Sequence, residues 1–184
     1  MREHSKKITI KDKNILVFDG LFTEKDIKHY FALFSLADYT FLHSSRKDTV
    51  AYREWAASFS VEDFREHSLH QVLSAVAQAH SNLKGTDCYD VFCSASTFGD
   101  VSFIHSDSPS EDTVSVLYYC NSSWDSEWGG ETIFYDDSDD AECAISIKPG
   151  RVVVFDGSLK HRAGVPNRTC PEVRITLSVR FDKK

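Results

Sequence analysis

Arg174-Ile175-Thr176-Leu177-Ser178-Val179-Arg180-Phe181 is the stretch on which the fold turns. Side chains on a strand alternate between two faces. The stretch therefore divides into a polar row of Arg174, Thr176, Ser178 and Arg180 and an apolar row of Ile175, Leu177, Val179 and Phe181. The apolar row belongs against a core. The polar row is either ordinary solvent-facing surface or the wall of an interior site, where it is costly to bury unless a partner satisfies it.

The same two-residue period extends back to about Tyr89. It predicts strands at Tyr89–Ser96, Val101–His105, Thr113–Asn121, Glu131–Tyr135, Cys143–Ile147, Arg151–Phe155 and Val173–Phe181, with turns at Gly129-Gly130 and Pro149-Gly150. Before Tyr89 the pattern is different. Ile8–Ile10 and Ile15–Phe18 are short β-like runs, and Thr23 can cap a helix over Lys25–Phe34 with Asp26 at its third position. Residues 37–60 are mixed, with a strand expected near Tyr39–His43 and a mobile loop after it. Tyr52, Trp55 and Phe59 there are core anchors or the lining of a mouth. Ser60 opens one long helix over Val61–His80, with Leu69, Val72, Leu73 and Val76 at helical spacing.

Helices first and many short strands afterwards give an α+β, mostly β chain: a β-sandwich or barrel buttressed by N-terminal helices. A doubly wound fold needs helices between the strands, for which there is no room. The 184 residues fit one domain, with 1–88 as mainly helical support and 89–184 as the β core. A net charge of −7 and the lack of any Lys/Arg block speak against a nucleic-acid partner. Five cysteines, an odd number with no close pair, do not suggest a disulfide scaffold. No apolar stretch follows the basic opening Met1–Lys7, so neither a signal peptide nor a membrane span is expected, and a cytoplasmic setting is the default.

Two features carry chemistry. His105 and Asp107 are two positions apart, a spacing that on a regular strand puts both side chains on one face, or at a strand end lets Asp107 curve back from the loop, and His161 follows 56 positions later (161 − 105) across four strand candidates. Two imidazoles and a carboxylate can hold non-haem Fe(II) on one face and leave the other open, though the same set suits catalytic zinc, and His161 alone also suits a turn.

The flanking sequence resembles the iron(II) and 2-oxoglutarate-dependent dioxygenases, particularly their prolyl-hydroxylase-like branch. The resemblance runs over Phe92–Phe181: His105-x-Asp107, Val116-Leu-Tyr-Tyr-Cys-Asn-x-x-Trp124-Asp125, Gly129-Gly130-Glu131-Thr132, Pro149-Gly150 to Phe155, His161, and Arg174 to Asp182. It implies a double-stranded β-helix (jelly-roll, cupin-like) core and a hydroxylase that uses Fe(II), 2-oxoglutarate and O2. It also implies that His105, Asp107 and His161 hold the iron, and that Arg174 pairs with the distal carboxylate of 2-oxoglutarate. Tyr119 would donate its hydroxyl to that carboxylate and Ser178 would lie beside it. A planar guanidinium suits the role because it can make a two-pronged, charge-assisted pair. Asp107 fills the position that related halogenases leave for chloride, which favours hydroxylation.

Arg162, Arg180 and Trp128 are candidate substrate contacts. Arg180 stands where the nearest branch carries an aromatic residue, and Cys93-Ser-Ala-Ser-Thr-Phe98 stands where it carries a tyrosine; both departures weaken a transfer of substrate identity. The resemblance points to a prolyl or other residue of a peptide or protein. The compact chain and altered pocket point instead to a free amino acid or other small metabolite, and a cupin-like metal-binding module without turnover is the non-enzymatic alternative. Oligomeric state is not legible.

Overall fold

A computed structural model describes residues 4–81, 85–109 and 112–183; Met1–Glu3 of the basic opening lie outside the described residues. Its elements are β1 (Lys6–Ile10), β2 (Lys13–Phe18), α1 (Glu24–Ser35), β3 (Thr40–His43), β4 (Glu54–Ser58), α2 (Val61–Arg65), α3 (Ser68–Ser81), β5 (Thr86–Ser96), β6 (Thr113–Tyr119), β7 (Thr132–Tyr135), β8 (Ala141–Ile145), β9 (Val152–Asp156), β10 (His161–Ala163) and β11 (Arg174–Lys183). Eight strands form an antiparallel sheet in the order β1-β2-β9-β6-β11-β5-β4-β3, and three form a smaller one, β10-β7-β8. The architecture is α+β, a jelly-roll-like antiparallel core with flanking N-terminal helices.

The two faces of β11 explain the layering. Ile175, Leu177, Val179 and Phe181 join Val116 and Tyr118 of β6 and Val152 and Val154 of β9 in a core covered by Tyr30 and Phe34 of α1 and Leu69, Leu73 and Val76 of α3. Fully burying each such side chain contributes roughly 1.5–3 kcal/mol. On the opposite face, Leu117, Tyr119, Val153 and Phe155 meet Phe134 and Ile145 of the smaller sheet in a second core. The polar row of β11 lies on this inner side, at the open end of the space between the sheets, where it lines a cavity.

Helix starts follow local chemistry. Thr23 caps α1 by accepting the Asp26 N–H, and Asp26 reaches back to the Thr23 N–H at 3.0 Å, so the shorter acid closes a full capping box. The single helix expected over Val61–His80 is two. Ser60 caps α2, and the His67 ring accepts the Leu69 N–H at 3.2 Å, starting α3 afresh after a break at Glu66–His67.

The strand reading needs further corrections. Val101–His105 is not a strand: only His105 makes a bridge, to His161, and Arg46 Nη1 donates to the Ile104 carbonyl at 2.9 Å, satisfying with a side chain what a neighbouring strand would otherwise bond. The loop expected after His43 contains β4, which pairs with β5. Its Ala56 and Ala57 are both buried, so it has no two-residue alternation to read. Residues 1–88 are thus less helical than expected, since β1–β4 extend both edges of the main sheet.

Candidate metal and co-substrate site

His105 and His161 come together through the backbone. Each donates its N–H to the other's carbonyl at 2.9 Å, a bridge that joins the loop after residue 100 to β10 of the smaller sheet. Each ring is then oriented by its own chain: His105 Nδ1 lies 2.9 Å from the Phe103 carbonyl and His161 Nδ1 lies 3.0 Å from the Leu159 carbonyl. A carbonyl accepts only, so both Nδ1 atoms carry the hydrogen and both Nε2 lone pairs face the interior.

Those Nε2 atoms converge on Asp107, 3.7 Å from Oδ1 for His105 and 3.7 Å from Oδ2 for His161. One ligand atom from each of the three residues lies within 4.8 Å of the others. Burial works against the Asp107 charge, but His161, Arg180, His105 and the Ser115 hydroxyl outweigh it and bring the carboxyl to about 2. Burial likewise lowers the His105 pKa and favours the neutral ring that a metal requires. The donor set fits a divalent metal: two oriented imidazoles, one ionised carboxylate and an open side toward the cavity.

Arg174 occupies the other end of the polar row and is 2 % exposed. Its Nε donates to the Gly130 carbonyl at 2.8 Å and its Nη2 to Thr132 Oγ1 at 3.3 Å, and the guanidinium lies 5.7 Å from the Tyr119 ring centre. Among the described residues no carboxylate forms an ion pair with it, and burial pulls its pKa down. Gly130 permits this approach: its φ is +85°, and an added Cβ would come within 3.0 Å of Ile147 and 3.4 Å of Arg174 Cδ. A buried guanidinium with only neutral partners is costly. It lines the same cavity, of about 200 Å³, as the three metal-ligand candidates.

The sequence profile of the 2OG-Fe(II) oxygenase superfamily matches residues 91–181. The chain belongs to this superfamily. The oxygenase therefore uses Fe(II) and 2-oxoglutarate in oxidative chemistry. No curated protein matches it in sequence. Among solved structures, an oxidoreductase of the 2OG-Fe(II) oxygenase family from Burkholderia pseudomallei superposes with a TM-score of 0.69 at 10% identity, over 92% of this chain and 85% of that one. The α-ketoglutarate-dependent epimerase SnoN from nogalamycin biosynthesis gives 0.67 at 12% identity, over 92% and 77%. A Pseudomonas putida prolyl-4-hydroxylase gives 0.63 at 14% identity, over 92% of both chains. At these identities the likeness is one of fold.

Within the oxygenase, Ser178 and Arg180 line the cavity with Arg174, whereas three other sequence candidates do not. Tyr119 is fully buried between the sheets, and its hydroxyl donates to Thr132 Oγ1 at 2.7 Å and lies 3.2 Å from the Ile145 carbonyl. It holds Thr132, which lines the cavity in its place. Trp128 packs edge-on against Trp124 with ring centres 5.4 Å apart, pinning the loop before β7 away from the cavity. Arg162 lines a second, more open depression with Arg46, Lys160 and Asp139, which shares Ser102, His105 and Ser106 with the cavity, and its guanidinium lies 5.8 Å from the Tyr135 ring centre. Arg180 donates to Asp107 Oδ1 at 2.6 Å and is engaged by the protein itself.

Sequence reading missed the partners of Asp107 and the outer wall. Ser115 donates to Asp107 Oδ2 at 2.6 Å. It stands on the inner face of β6 with Leu117 and Tyr119, so the alternation Thr113-Val-Ser-Val was the available signal. His43, at the end of the strand expected near Tyr39–His43, and Glu54 and Asp100, outside any expected strand, also line the cavity.

Proposed function

We propose that the protein hydroxylates an unactivated C–H bond of a small polar molecule, consuming O2 and 2-oxoglutarate and giving succinate and CO2. The observation that carries the co-substrate half is Arg174, a buried cation with which no carboxylate forms an ion pair among the described residues, on the same strand and face as the wall of the metal cavity. The distal carboxylate of a dicarboxylic keto acid supplies the missing charge through a two-pronged pair. His105, Asp107 and His161 hold Fe(II), which supplies the oxygen-activating redox chemistry. Thr132 Oγ1 accepts from the guanidinium, Ser178 lines the same cavity further along the strand, and the sheets exclude water around Arg174. The protein's own contribution is placement, charge balance and shielding.

The substrate half rests on the lining. Beyond the metal-ligand candidates the wall carries Ser45, Ser94, Ser96, Ser102, Glu54 and Asp100 interspersed with Trp55, Phe92 and Val165, which suits a small solute with several hydrogen-bonding groups on an apolar frame. The segment that resembles peptide hydroxylases gives no support to a peptide. Tyr118 and Tyr119 are fully buried, and Asn121 bonds the Val173 carbonyl and the Ile175 N–H at 2.8 and 2.9 Å. These residues hold β6 to β11.

The test is succinate formation by anaerobically prepared Fe(II) protein given O2, 2-oxoglutarate and parallel panels of polar metabolites and proline-containing peptides, with Asp107→Ala as control. Succinate stoichiometric with a metabolite gaining one oxygen atom is expected, and loss of both in Asp107→Ala. A hydroxylated peptide would overturn the substrate class; undiminished turnover in Asp107→Ala would overturn the metal assignment.

A further inference from the structure

Asp107 lies on an irregular segment between the His105 bridge and β6, with no strand of its own to hold it. The main sheet holds it from outside. On β11, Arg180 stands directly opposite Asp90 of β5 and Ser115 of β6, so the three form one transverse row on the inner face. Arg180 Nη1 donates to Asp90 Oδ2 at 2.9 Å and Nη2 to Asp107 Oδ1 at 2.6 Å, while Ser115 Oγ donates to Asp107 Oδ2 at 2.6 Å. The guanidinium carbon lies 5.2 Å from the Phe92 ring centre. Immediately past Arg180 the register shifts, with Phe181 opposite Cys88. Tyr89 is the extra residue, and this bulge lets Asp90 share the Arg180 row while Phe181 still enters the outer core.

We propose that Arg180, anchored by Asp90, is a positioning residue that fixes the Asp107 carboxylate for the metal. The inference rests on the reading of His105, Asp107 and His161 as metal ligands. A guanidinium is a planar fork with fixed donor directions. One prong on Asp90 and the stack on Phe92 fix the plane, and the other prong then dictates where Asp107 Oδ1 can sit. Ser115 fixes the second oxygen. Each carboxylate oxygen receives one hydrogen bond from this row and keeps a lone pair for the space between the two imidazoles. Asp90 does not itself line the cavity, and its side chain meets the site through the cavity-lining Arg180, so its influence passes through that residue.

The experiment is a Mn(II) titration followed by electron paramagnetic resonance, without O2 or substrate, on the wild type, Asp90→Asn, Arg180→Lys, the double variant and His161→Ala. Thermal melts check that each is folded. Lysine keeps the charge but cannot span both carboxylates, so Arg180→Lys weakens Mn(II) binding on the order of 10-fold or more, the range typical of a lost outer partner of a metal ligand. Asp90→Asn weakens it less, and the double variant is no weaker than Arg180→Lys alone, because both changes break one chain of contacts. Unchanged or tighter binding in folded Arg180→Lys, or additive losses in the double variant, would overturn the proposal. His161→Ala separates the two levels: if it binds Mn(II) as the wild type does, the ligand reading itself fails. Asp90 has a part-exposed side chain, so Asp90→Asn gives a readout even if Arg180→Lys folds poorly.

Discussion

Arg174 and Arg180 stand six residues apart on one face of one strand, and their surroundings are opposite in kind. Arg180 lies between two carboxylates, which raise its pKa against the effect of burial. Arg174 has a carbonyl, a hydroxyl and an aromatic face, and burial lowers its pKa. A cation buried beside anions completes a structure; one buried beside neutral dipoles is incomplete until an anion arrives. The same residue type on the same strand thus marks the internal charge balance at one end of the cavity and, in the function proposed above, the co-substrate's subsite at the other.

The contrast predicts effects of different kinds. Arg174→Met should weaken 2-oxoglutarate binding by at least about 100-fold, since two charge-assisted hydrogen bonds are lost at about 1.5–3 kcal/mol each. The melting temperature of the ligand-free protein should not fall, because an unpaired buried charge is removed. Isothermal titration and a melt on one sample check both halves, and a large loss of ligand-free stability would show that Arg174 has an internal partner after all. Arg180→Met should do the reverse, destabilising the ligand-free protein by about 3 kcal/mol through the unpaired Asp107 carboxylate. Chemical denaturation reads that loss; equal stability of the two Met variants would erase the distinction between the arginines.

Much of this was legible in the sequence because alternation reports directly on faces. The eight residues of β11 carry both the outer core and the inner polar row in their alternation, and the resemblance of the flanking motifs, more than spacing, singles out His105, Asp107 and His161, whose ligand atoms lie within 4.8 Å of one another. What failed depended on contacts between distant segments. Nothing in Arg180 alone shows that a bulge at Tyr89 sets Asp90 beside it, or that its other prong meets Asp107 across 73 residues. The resemblance alone implies Tyr119 as a 2-oxoglutarate contact, whereas the engagement of its hydroxyl by Thr132 at 2.7 Å is a tertiary fact. Trp55 and its neighbours hid a strand because small buried alanines carry no period.

Gly130 tests how closely the Arg174 end is built. Gly130→Ala forces a side chain into a positive-φ position 3.0 Å from Ile147 and 3.2 Å from Trp124. A loss of about 1–2 kcal/mol is expected, from backbone strain and crowding together. The Gly130 carbonyl that receives Arg174 Nε should shift with it, weakening 2-oxoglutarate several-fold without a comparable change in metal affinity. If metal affinity fell as much as 2-oxoglutarate affinity, the two ends of the cavity would be one mechanical unit.

A third arginine sharpens the comparison at its weak end. Arg151 grips Asp19 with two prongs on one carboxylate, Nε to Oδ1 at 2.7 Å and Nη2 to Oδ2 at 2.8 Å, a geometry neither site arginine has, but the Asp19 side chain is 36% exposed. If burial rather than geometry sets the worth of an ion pair, Asp19→Asn should cost less than about 1 kcal/mol, well below Arg180→Met. The hydrogen bonds from Arg151 hold the Asp19 carboxyl below its ordinary value. A carboxyl lowered on folding stabilises above the unfolded value of about 3.9, and that contribution fades as the pH falls through the folded value. The gap between wild type and Asp19→Asn should therefore be widest near neutral pH, shrink in acid and shrink again in high salt, because solvent and counterions reach this pair. A gap equal to that of Arg180→Met and insensitive to salt would mean that fork geometry outweighs burial, and the ranking of the arginines by their surroundings would fall with it.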